Sequence, residues 1–206
     1  MIANNEKPRW FFYLLWILLT LLCVPIAFFI DLIILRIISL FVGDFIYVGG
    51  VRHITEDYLE MYTFIPIVGL LTGVLQYGLG LLRRFLPQMG WWVAATVGGW
   101  LLGEFLTLIP GWLNWTNPLF NLDLSFVMMG LSIGMGQWLL LRRRLHRASW
   151  WIGANVAGWS LLALITEGNS IGQFGLFTLG FLPACATALM LALLMNQVQP
   201  TGPQRV

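Results

Sequence analysis

The sequence offers few side chains that could do chemistry, and Glu104 is the most distinctive of them. It lies 13 residues after Trp91 in an apolar stretch, which on a helix corresponds to about 20 Å. A carboxylate at such a depth in a membrane is expensive to bury, so it predicts an ion or proton site. A shorter helix would instead bring Glu104 to the membrane interface beside Trp112, and this alternative stays open.

A second candidate is the stretch HITEDYLEMY, residues 53–62. On a helix, four side chains able to ligate a metal would recur at i, i+3, i+4 and i+7, which allows a weak metal site: His53, Glu56, Asp57 and Glu60. Acidic residues in a first helical turn also favour the helix dipole, by about 0.3–1 kcal/mol each. The same stretch is therefore also interpreted as the start of a second helix, which is the interpretation we favour.

Motifs for catalysis are missing from the sequence. The two histidines, His53 and His146, both lie outside the apolar runs, so haem ligation between helices is not expected. The sequence has no Ser-His-Asp set, Gly-rich phosphate loop or paired-Cys motif, and Cys23 and Cys185 are isolated in apolar runs. We therefore expect a protein that is not an enzyme, and too few basic residues are present for a nucleic-acid partner.

The elements that must position these residues follow from composition. Of the 206 residues, 59% are hydrophobic and only 10% are charged, and the mean hydropathy is +0.82. Soluble domains hold about 25% charged residues, so the sequence predicts an integral membrane protein of one domain, residues 1–206. About 20 apolar residues cross the hydrocarbon as a helix, and six such runs occur, at about 10–32, 64–84, 91–109, 124–141, 150–167 and 172–195.

These runs predict an all-α fold of six transmembrane helices, arranged as three sequential helical hairpins. The first run is too long for the core of a cleaved signal peptide, so we expect it to be retained. Residues 32–51 are apolar but contain Arg36 and Asp44. A seventh span there would invert every later basic loop, so we expect an interfacial or re-entrant segment.

The distribution of charge predicts the orientation. With the N- and C-termini in the cytoplasm, nine of the eleven basic residues lie on the cytoplasmic side and eight of the nine acidic residues lie toward the other. The stretch GQWLLLRRRLHRASWW, residues 136–151, is then a membrane boundary, with Trp150 and Trp151 in an interfacial aromatic belt. Six arginines are expected to meet lipid headgroups: Arg83, Arg84, Arg142, Arg143, Arg144 and Arg147.

An internal repeat relates residues 69–100 to residues 130–159. The offset is 61 up to the glutamine and 59 from the arginines onward, so the first copy has two extra residues after Gln76. A weaker third copy is divided between the two ends of the chain, where Arg9 and Trp10 open the first helix and GFLPACATALMLALL lies in the last. Such self-similarity indicates a repeated helical hairpin.

The repeat residues suggest how the helices pack. Small residues four apart allow close approach of helix backbones, and polar side chains hydrogen-bond between helices in a membrane, by about 0.6–2 kcal/mol each. From matching depths we predict the pairs Gln76 with Thr96 and Gln137 with Asn155, while an alternative is that these amides bind a ligand or a pigment metal. The predicted packing residues are Gly69, Gly73, Gly130, Gly134, Gln76, Thr96, Gln137 and Asn155.

The pattern G-x-x-x-G-x-x-Q, Leu-Arg-Arg, Trp-Trp and Gly-Trp resembles a group of uncharacterised bacterial multi-pass membrane proteins with Gln-Trp-Leu-x-Leu-Arg-Arg repeats. The resemblance covers about 69–100 and 130–159 and departs from the usual form at Tyr77 and the insertion after it. It implies repeated membrane hairpins and implies no activity.

These observations together predict a non-catalytic scaffold or accessory subunit of a larger membrane complex. The Trp, Phe and Gly content suits close contacts with helices, lipid or pigment, so an energy-converting or pigment-containing complex is one option. Membrane lipids and other integral membrane subunits are the expected partners, a bound lipid or pigment is compatible with this composition, and no cofactor is identified. The expected location is a bacterial plasma membrane or an internal photosynthetic membrane such as the thylakoid. The alternative is a small transporter or channel that uses Glu104.

Overall fold

The computed structural model describes residues 9–80, 82, 88–109, 118–166 and 175–197. Most of these residues are helical, as expected, and one short β-hairpin is added to the predicted helices. The described elements are α1 Arg9–Val42, β1 Phe45–Val48, β2 Val51–Ile54, α2 Thr55–Gly78, α3 Met89–Thr107, α4 Pro118–Leu141, α5 Trp150–Thr166 and α6 Gly175–Gln197.

Helix α1 differs most from its predicted bounds. It was expected to end near residue 32, but it continues as one helix of 34 residues to Val42, a length of about 51 Å. The rest of the expected interfacial segment forms the antiparallel hairpin β1–β2, whose turn residues Gly49 and Gly50 both have positive φ angles. Such angles are those of the tight turn that suits a two-residue hairpin.

Helix α2 begins where the helix-start interpretation placed it. Glu56 and Asp57 lie in its first turn, where their charges favour the helix dipole. The Thr55 hydroxyl donates a hydrogen bond of 2.6 Å to the Gly43 carbonyl oxygen. This bond ties the start of α2 to the end of α1.

Two stretches in the described part of the chain are long and apolar enough to cross a membrane, residues Trp10–Val42 and Leu124–Leu141. Tyr62–Gly78 and Gly180–Met195 are apolar but shorter. Length and composition are thus compatible with association with a membrane.

The six described helices form a closed ring. Each helix packs against its neighbours in the sequence, and α6 packs against α1 to complete the circle. Adjacent helices are antiparallel, because contacts that advance along one helix go backward along the next, as where Gly69 meets Val97 and Gly73 meets Val93. The ring therefore alternates up and down.

The same close contact recurs in two helix pairs. A Cβ atom on Gly69 of α2 would lie 3.1 Å from the Val97 Cα of α3, and one on Gly130 of α4 would lie 2.9 Å from the Val156 Cα of α5. Val97 and Val156 are 59 positions apart, the offset of the repeat. The predicted glycines therefore do bring backbones together, within α2–α3 and within α4–α5.

The pair α6–α1 makes the equivalent contact although its helices are far apart in the chain. A Cβ atom on Gly180 would lie 3.0 Å from the Leu21 Cα. We call α2–α3 unit 1, α4–α5 unit 2 and α6–α1 unit 3. The three units are arranged around the ring with approximate threefold symmetry.

Candidate functional site

The inside of the ring contains one polar layer between two apolar layers. In each unit one helix presents an aromatic or apolar residue, then a polar residue, then another aromatic or apolar residue, at four-residue steps that face the same side. The residues are Trp92, Thr96 and Trp100 on α3, Trp151, Asn155 and Trp159 on α5, and Trp16, Thr20 and Val24 on α1. We call the middle positions the polar layer.

The other helix of each unit contributes a second polar residue to this layer. It stands seven positions after the close-contact glycine, at Gln76 in α2, Gln137 in α4 and Thr187 in α6. All three are buried. The layer therefore draws one polar residue from each of the six helices.

In unit 2 the indole of Trp151 and both polar atoms of the Gln137 amide are hydrogen-bonded. The Trp151 indole Nε1 donates to Gln137 Oε1 at 2.9 Å, and Gln137 Nε2 donates to Thr96 Oγ1 at 3.0 Å. Thr96 in turn donates to the main-chain oxygen of Trp92 at 2.9 Å. Gln137 thereby connects α4 to both of its neighbours, α5 and α3.

Unit 3 uses a shorter side chain for the same purpose. The Trp16 indole Nε1 donates to Thr187 Oγ1 at 3.2 Å, and Thr187 donates to the Pro183 carbonyl at 2.7 Å. Asn155, next to it in the ring, donates to the Trp151 carbonyl on its own helix at 3.0 Å. The Thr187 hydroxyl has one hydrogen and gives it to its own helix, so it does not continue the circle of bonds to Asn155.

Unit 1 is bonded differently. Gln76 Nε2 donates to Thr20 Oγ1 of α1 at 3.3 Å. Gln76 Oε1 and Trp92 Nε1 are both buried, and neither atom has a hydrogen-bond partner among the described residues. The indole that corresponds to Trp151 is therefore unpaired in this unit.

The predicted pairs are wrong, although the residues are correctly placed in the layer. Gln76 bonds Thr20 instead of Thr96, and Gln137 bonds Thr96 instead of Asn155. The prediction matched depth along the helices, which the rise per residue gives, but each glutamine amide reaches across to the adjacent unit. The direction in which each side chain points around its helix axis is set by the closure of the ring, and residue number alone does not give it.

A small cavity of about 40 Å³ lies inside the ring at this level. It is lined by residues of all three units, none of them charged, and the polar ones are Thr20, Thr72, Gln76, Gln137, Asn155 and Thr187. Trp100 and Trp159 bound it on one side, with ring centroids 5.3 Å apart. The cavity can thus hold a small uncharged molecule.

Glu104 lies away from this cavity. It is partly buried on α3, three residues before the helix ends at Thr107, and it is not among the residues that line the cavity. Its position near a helix end agrees with the short-helix alternative. The structure brings no second titratable side chain into a hydrogen bond with it among the described residues.

The weak metal site is not assembled. His53 lies on strand β2, so it does not share a helix face with the acidic residues that begin at Glu56. Its ring packs against Tyr58 at 5.1 Å, and Glu56 pairs with Arg36 at 3.4 Å. In the described part of the chain, no group of three or more His, Cys, Asp or Glu side chains could hold a metal ion.

The arginines of the α4–α5 turn are exposed: Arg142, Arg143, Arg144 and Arg147. The Arg142 guanidinium lies 5.0 Å from the Trp138 ring centroid, a cation–π distance. Arg83 and Arg84 lie outside the described residues. Trp150 is exposed, but Trp151 turns inward and is fully buried, so only the first tryptophan of the pair fits the aromatic belt.

Several residues of the polar layer were not predicted from the sequence. Trp16, Thr20 and Thr187 belong to unit 3, whose two helices lie at opposite ends of the chain. Their signal was present in the weak third copy, because Thr187 follows Gly180 by seven positions, as Gln76 follows Gly69. This spacing could identify the residues only once the third copy was aligned with the first two.

Asp31 is a buried acidic residue that the charge pattern of the sequence does not distinguish from the other acidic residues. Its side chain is fully buried on α1, and neither carboxylate oxygen has a hydrogen-bond partner among the described residues. Thr63 of α2 lies beside it, but its hydroxyl donates to the Leu59 carbonyl at 3.1 Å.

Comparison with protein-family models, with curated proteins and with solved structures finds no match to this chain.

Proposed function

We propose that the protein is a non-catalytic integral membrane protein whose six helices all cross the bilayer, and that it acts as a scaffold or accessory subunit of a larger membrane complex. The outer surface of the ring supports the membrane location. Every helix exposes large apolar side chains there, among them Leu18, Leu70, Leu101, Leu139, Leu164 and Leu189. A soluble monomer rarely exposes so large an apolar area.

The far end of α1 is the observation that carries the scaffold proposal. A helix of about 51 Å is longer than the hydrocarbon layer of about 30 Å, so α1 projects beyond the layer or tilts within it. The projecting part is apolar and exposed, most of all at Leu40 and Phe41, which are 73% and 85% exposed. Such a surface suits another integral membrane subunit, which would cover these side chains.

The charges of the described residues support an orientation with both termini in the cytoplasm. The Trp16 ring packs against Trp151 with centroids 6.2 Å apart, so the start of α1 and the α4–α5 turn are at the same end of the ring. The exposed arginines of that turn would face the cytoplasm. The β1–β2 hairpin is at the opposite end.

The proposal is tested by extracting the protein in a mild detergent and analysing it by native gel, absorption spectrum and mass spectrometry. We expect it to migrate with stoichiometric partner subunits, and the spectrum shows whether a pigment is bound. Migration alone as an uncoloured monomer or homodimer contradicts the proposal.

Paired variants locate the partner surface. Leu40→Ala with Phe41→Ala is expected to release the partner while the ring stays folded. The control, Leu164→Ala with Leu189→Ala, changes equally apolar exposed side chains elsewhere on the ring and is expected to retain the partner. Gly130 and Gly134 are less useful for this purpose because they pack against α5 inside the ring, so bulky residues there disturb the fold itself.

A small channel or transporter is the second candidate, and the polar cavity inside the ring favours it. Glu104 does not line that cavity, so a role for it requires a path outside the polar layer. Ion flux into proteoliposomes that is abolished by Glu104→Gln, with the ring still folded, would support this candidate. Absence of flux in the unaltered protein would remove it.

A further inference from the structure

Asp31 is an acidic side chain in an apolar part of the ring. It is fully buried on α1, and its two carboxylate oxygens have no hydrogen-bond partner among the described residues. Ala27 and Leu35 lie four residues before and after it, on the same face of α1, and both are buried as well. An ionised carboxylate in such a place has lost its hydration without gaining a partner, which is strongly unfavourable.

In the described helices that pack against α1, no basic side chain compensates the charge of Asp31. These helices are α2 and α6, and neither contains Lys or Arg. On α1, Arg36 lies about 140° around the helix axis from Asp31 and pairs with Glu56 at 3.4 Å. The other acidic residues of α2, Asp57 and Glu60, are exposed. The remaining titratable side chains of α2, α6 and β1 are tyrosines and a cysteine, residue types that are neutral at neutral pH.

Asp31 also lacks the neighbours that a metal ion requires. Ca²⁺ takes about six to eight oxygen ligands, whereas no group of three or more His, Cys, Asp or Glu side chains in the described part of the chain could hold a metal ion. A basic side chain of another subunit does not reach Asp31 either, because the ring covers it completely. A proton is the cation that fits, since it needs no further ligands.

The Thr63 hydroxyl beside Asp31 indicates which form of the carboxyl group belongs there. Its hydrogen is used in the bond to the Leu59 carbonyl, so toward Asp31 the Thr63 oxygen can only accept. A hydrogen bond between the two side chains therefore requires a hydrogen on the Asp31 carboxyl group. We propose that Asp31 is a proton-binding site, whose carboxyl group holds a proton when the protein is folded at neutral pH.

The proton comes from solvent. An aspartate in the unfolded chain is ionised at neutral pH, so the folding of one chain takes up one proton and forms one O–H bond. The site is separate from Glu104, which is only partly buried on α3. A carboxyl group that holds a proton inside a membrane is the type of group that proton relays use. The site needs no partner subunit, so it can fail or hold independently of the scaffold proposal.

Infrared spectroscopy of the full chain detects the proton directly, because a protonated carboxyl group absorbs at a higher frequency than a carboxylate. The protein is measured at neutral pH in a detergent without ester groups, with and without ¹³C in the side-chain carboxyl of its aspartates. We expect a band of a protonated carboxyl group that shifts with the label, is lost in Asp31→Asn and is retained in the control Glu104→Gln. Absence of such a band, or its persistence in folded Asp31→Asn, overturns the proposal.

A second variant keeps the assignment possible if Asp31→Asn does not fold. Asp44 and Asp57 are exposed, so Asp123 is the remaining aspartate that must be distinguished from Asp31. The labelled band is expected to remain in Asp123→Asn. Its complete loss in that variant would assign the proton to Asp123 and contradict the proposal.

The pH dependence of stability gives an independent measurement. Unfolding releases the proton of Asp31 to solvent, so near neutral pH the unfolding equilibrium constant should rise about tenfold per pH unit through this group, and stability should fall. Reversible unfolding in mixed micelles should show this slope in the unaltered protein in excess of the slope of Asp31→Asn. His53 and His146 are present in both proteins, so their contributions cancel. Equal slopes would show that folding takes up no proton at Asp31.

Discussion

Units 1 and 2 share a sequence pattern and a backbone contact, but their buried polar groups are paired differently. In unit 2 Gln137 accepts from one helix and donates to another. In unit 1 Gln76 donates to Thr20, and its oxygen has no partner in the described part of the chain. The repeated residues therefore determine which polar groups lie in the layer. Local geometry determines which of these groups hydrogen-bond to each other.

The connection between the two helices is where the units differ most in sequence. Helix α4 continues four residues past Gln137, to Leu141, whereas α2 ends at Gly78, two residues past Gln76. The difference of two residues is about half a helical turn. The insertion in the first repeat thus falls within unit 1, between Gln76 and the start of α3.

Enlarging the close-contact glycines should have the largest effect and should separate the units. A Cβ atom on Gly130 would lie 2.8 Å from the Asn155 carbonyl oxygen, which is main chain and cannot turn away. We expect Gly130→Leu to lower the free energy of unfolding by about 3 kcal/mol, near the top of the range for overpacking. Gly69→Leu should cost less, since its nearest atom is 3.1 Å away.

The matched control for these variants is Gly153→Leu on α5, where a Cβ atom would meet nothing within 4 Å. It should change stability by no more than about 1 kcal/mol, the range of helix propensity. Reversible unfolding in mixed micelles, followed by tryptophan fluorescence, measures all three. Equal losses for Gly130 and Gly153 would mean that the ring does not depend on this close approach.

Removing the glutamines should have the next largest effect. Gln137→Leu leaves the Trp151 indole buried without an acceptor and is expected to cost about 2 kcal/mol of unfolding free energy. Gln76→Leu removes a carbonyl oxygen that has no hydrogen-bond partner among the described residues, so it is expected to cost about half as much. If the loss at Gln76 exceeds the loss at Gln137, the contrast between the units is wrong.

Removing the threonine acceptors should have the smallest effect. Thr96→Val takes away the oxygen that accepts from Gln137 at 3.0 Å, and Thr20→Val takes away the one that accepts from Gln76 at 3.3 Å. We expect a loss of about 1 kcal/mol for Thr96→Val and less for Thr20→Val, because valine has a similar shape. The same unfolding measurement applies, and a larger loss at Thr20 would show that unit 1 is bonded more tightly than its distances indicate.

Much of the fold follows from the sequence, because apolar run length and repeat spacing are local properties. The bounds of α3, α5 and α6 agree with the predicted runs to within a few residues. The extension of α1 to Val42 was missed because Arg36 suggested a break, whereas its guanidinium pairs with Glu56 at the start of α2. A charged residue such as Arg36 can lie inside a helix when another element supplies its ion-pair partner.

Residues of the polar layer could be predicted from the sequence, but their hydrogen-bond partners could not. Thr96, Asn155 and both glutamines were identified from the repeat, since position along a helix depends only on residue number. Their partners depend on the closure of the ring, which pairs residues from different units. Asp31 was not distinguished from the other acidic residues, because burial by neighbouring helices has no local signal in the sequence.

The closure of the ring has a consequence for how the chain reaches this structure. The bond between Trp16 and Thr187 joins residues 171 positions apart, while units 1 and 2 form between neighbouring helices. Contacts so distant in sequence form late, because the entropy of bringing the ends together must first be lost. Helix α1 therefore lacks its partner α6 until the last helix has been synthesised, and until then the Trp16 indole has no Thr187 hydroxyl to donate to.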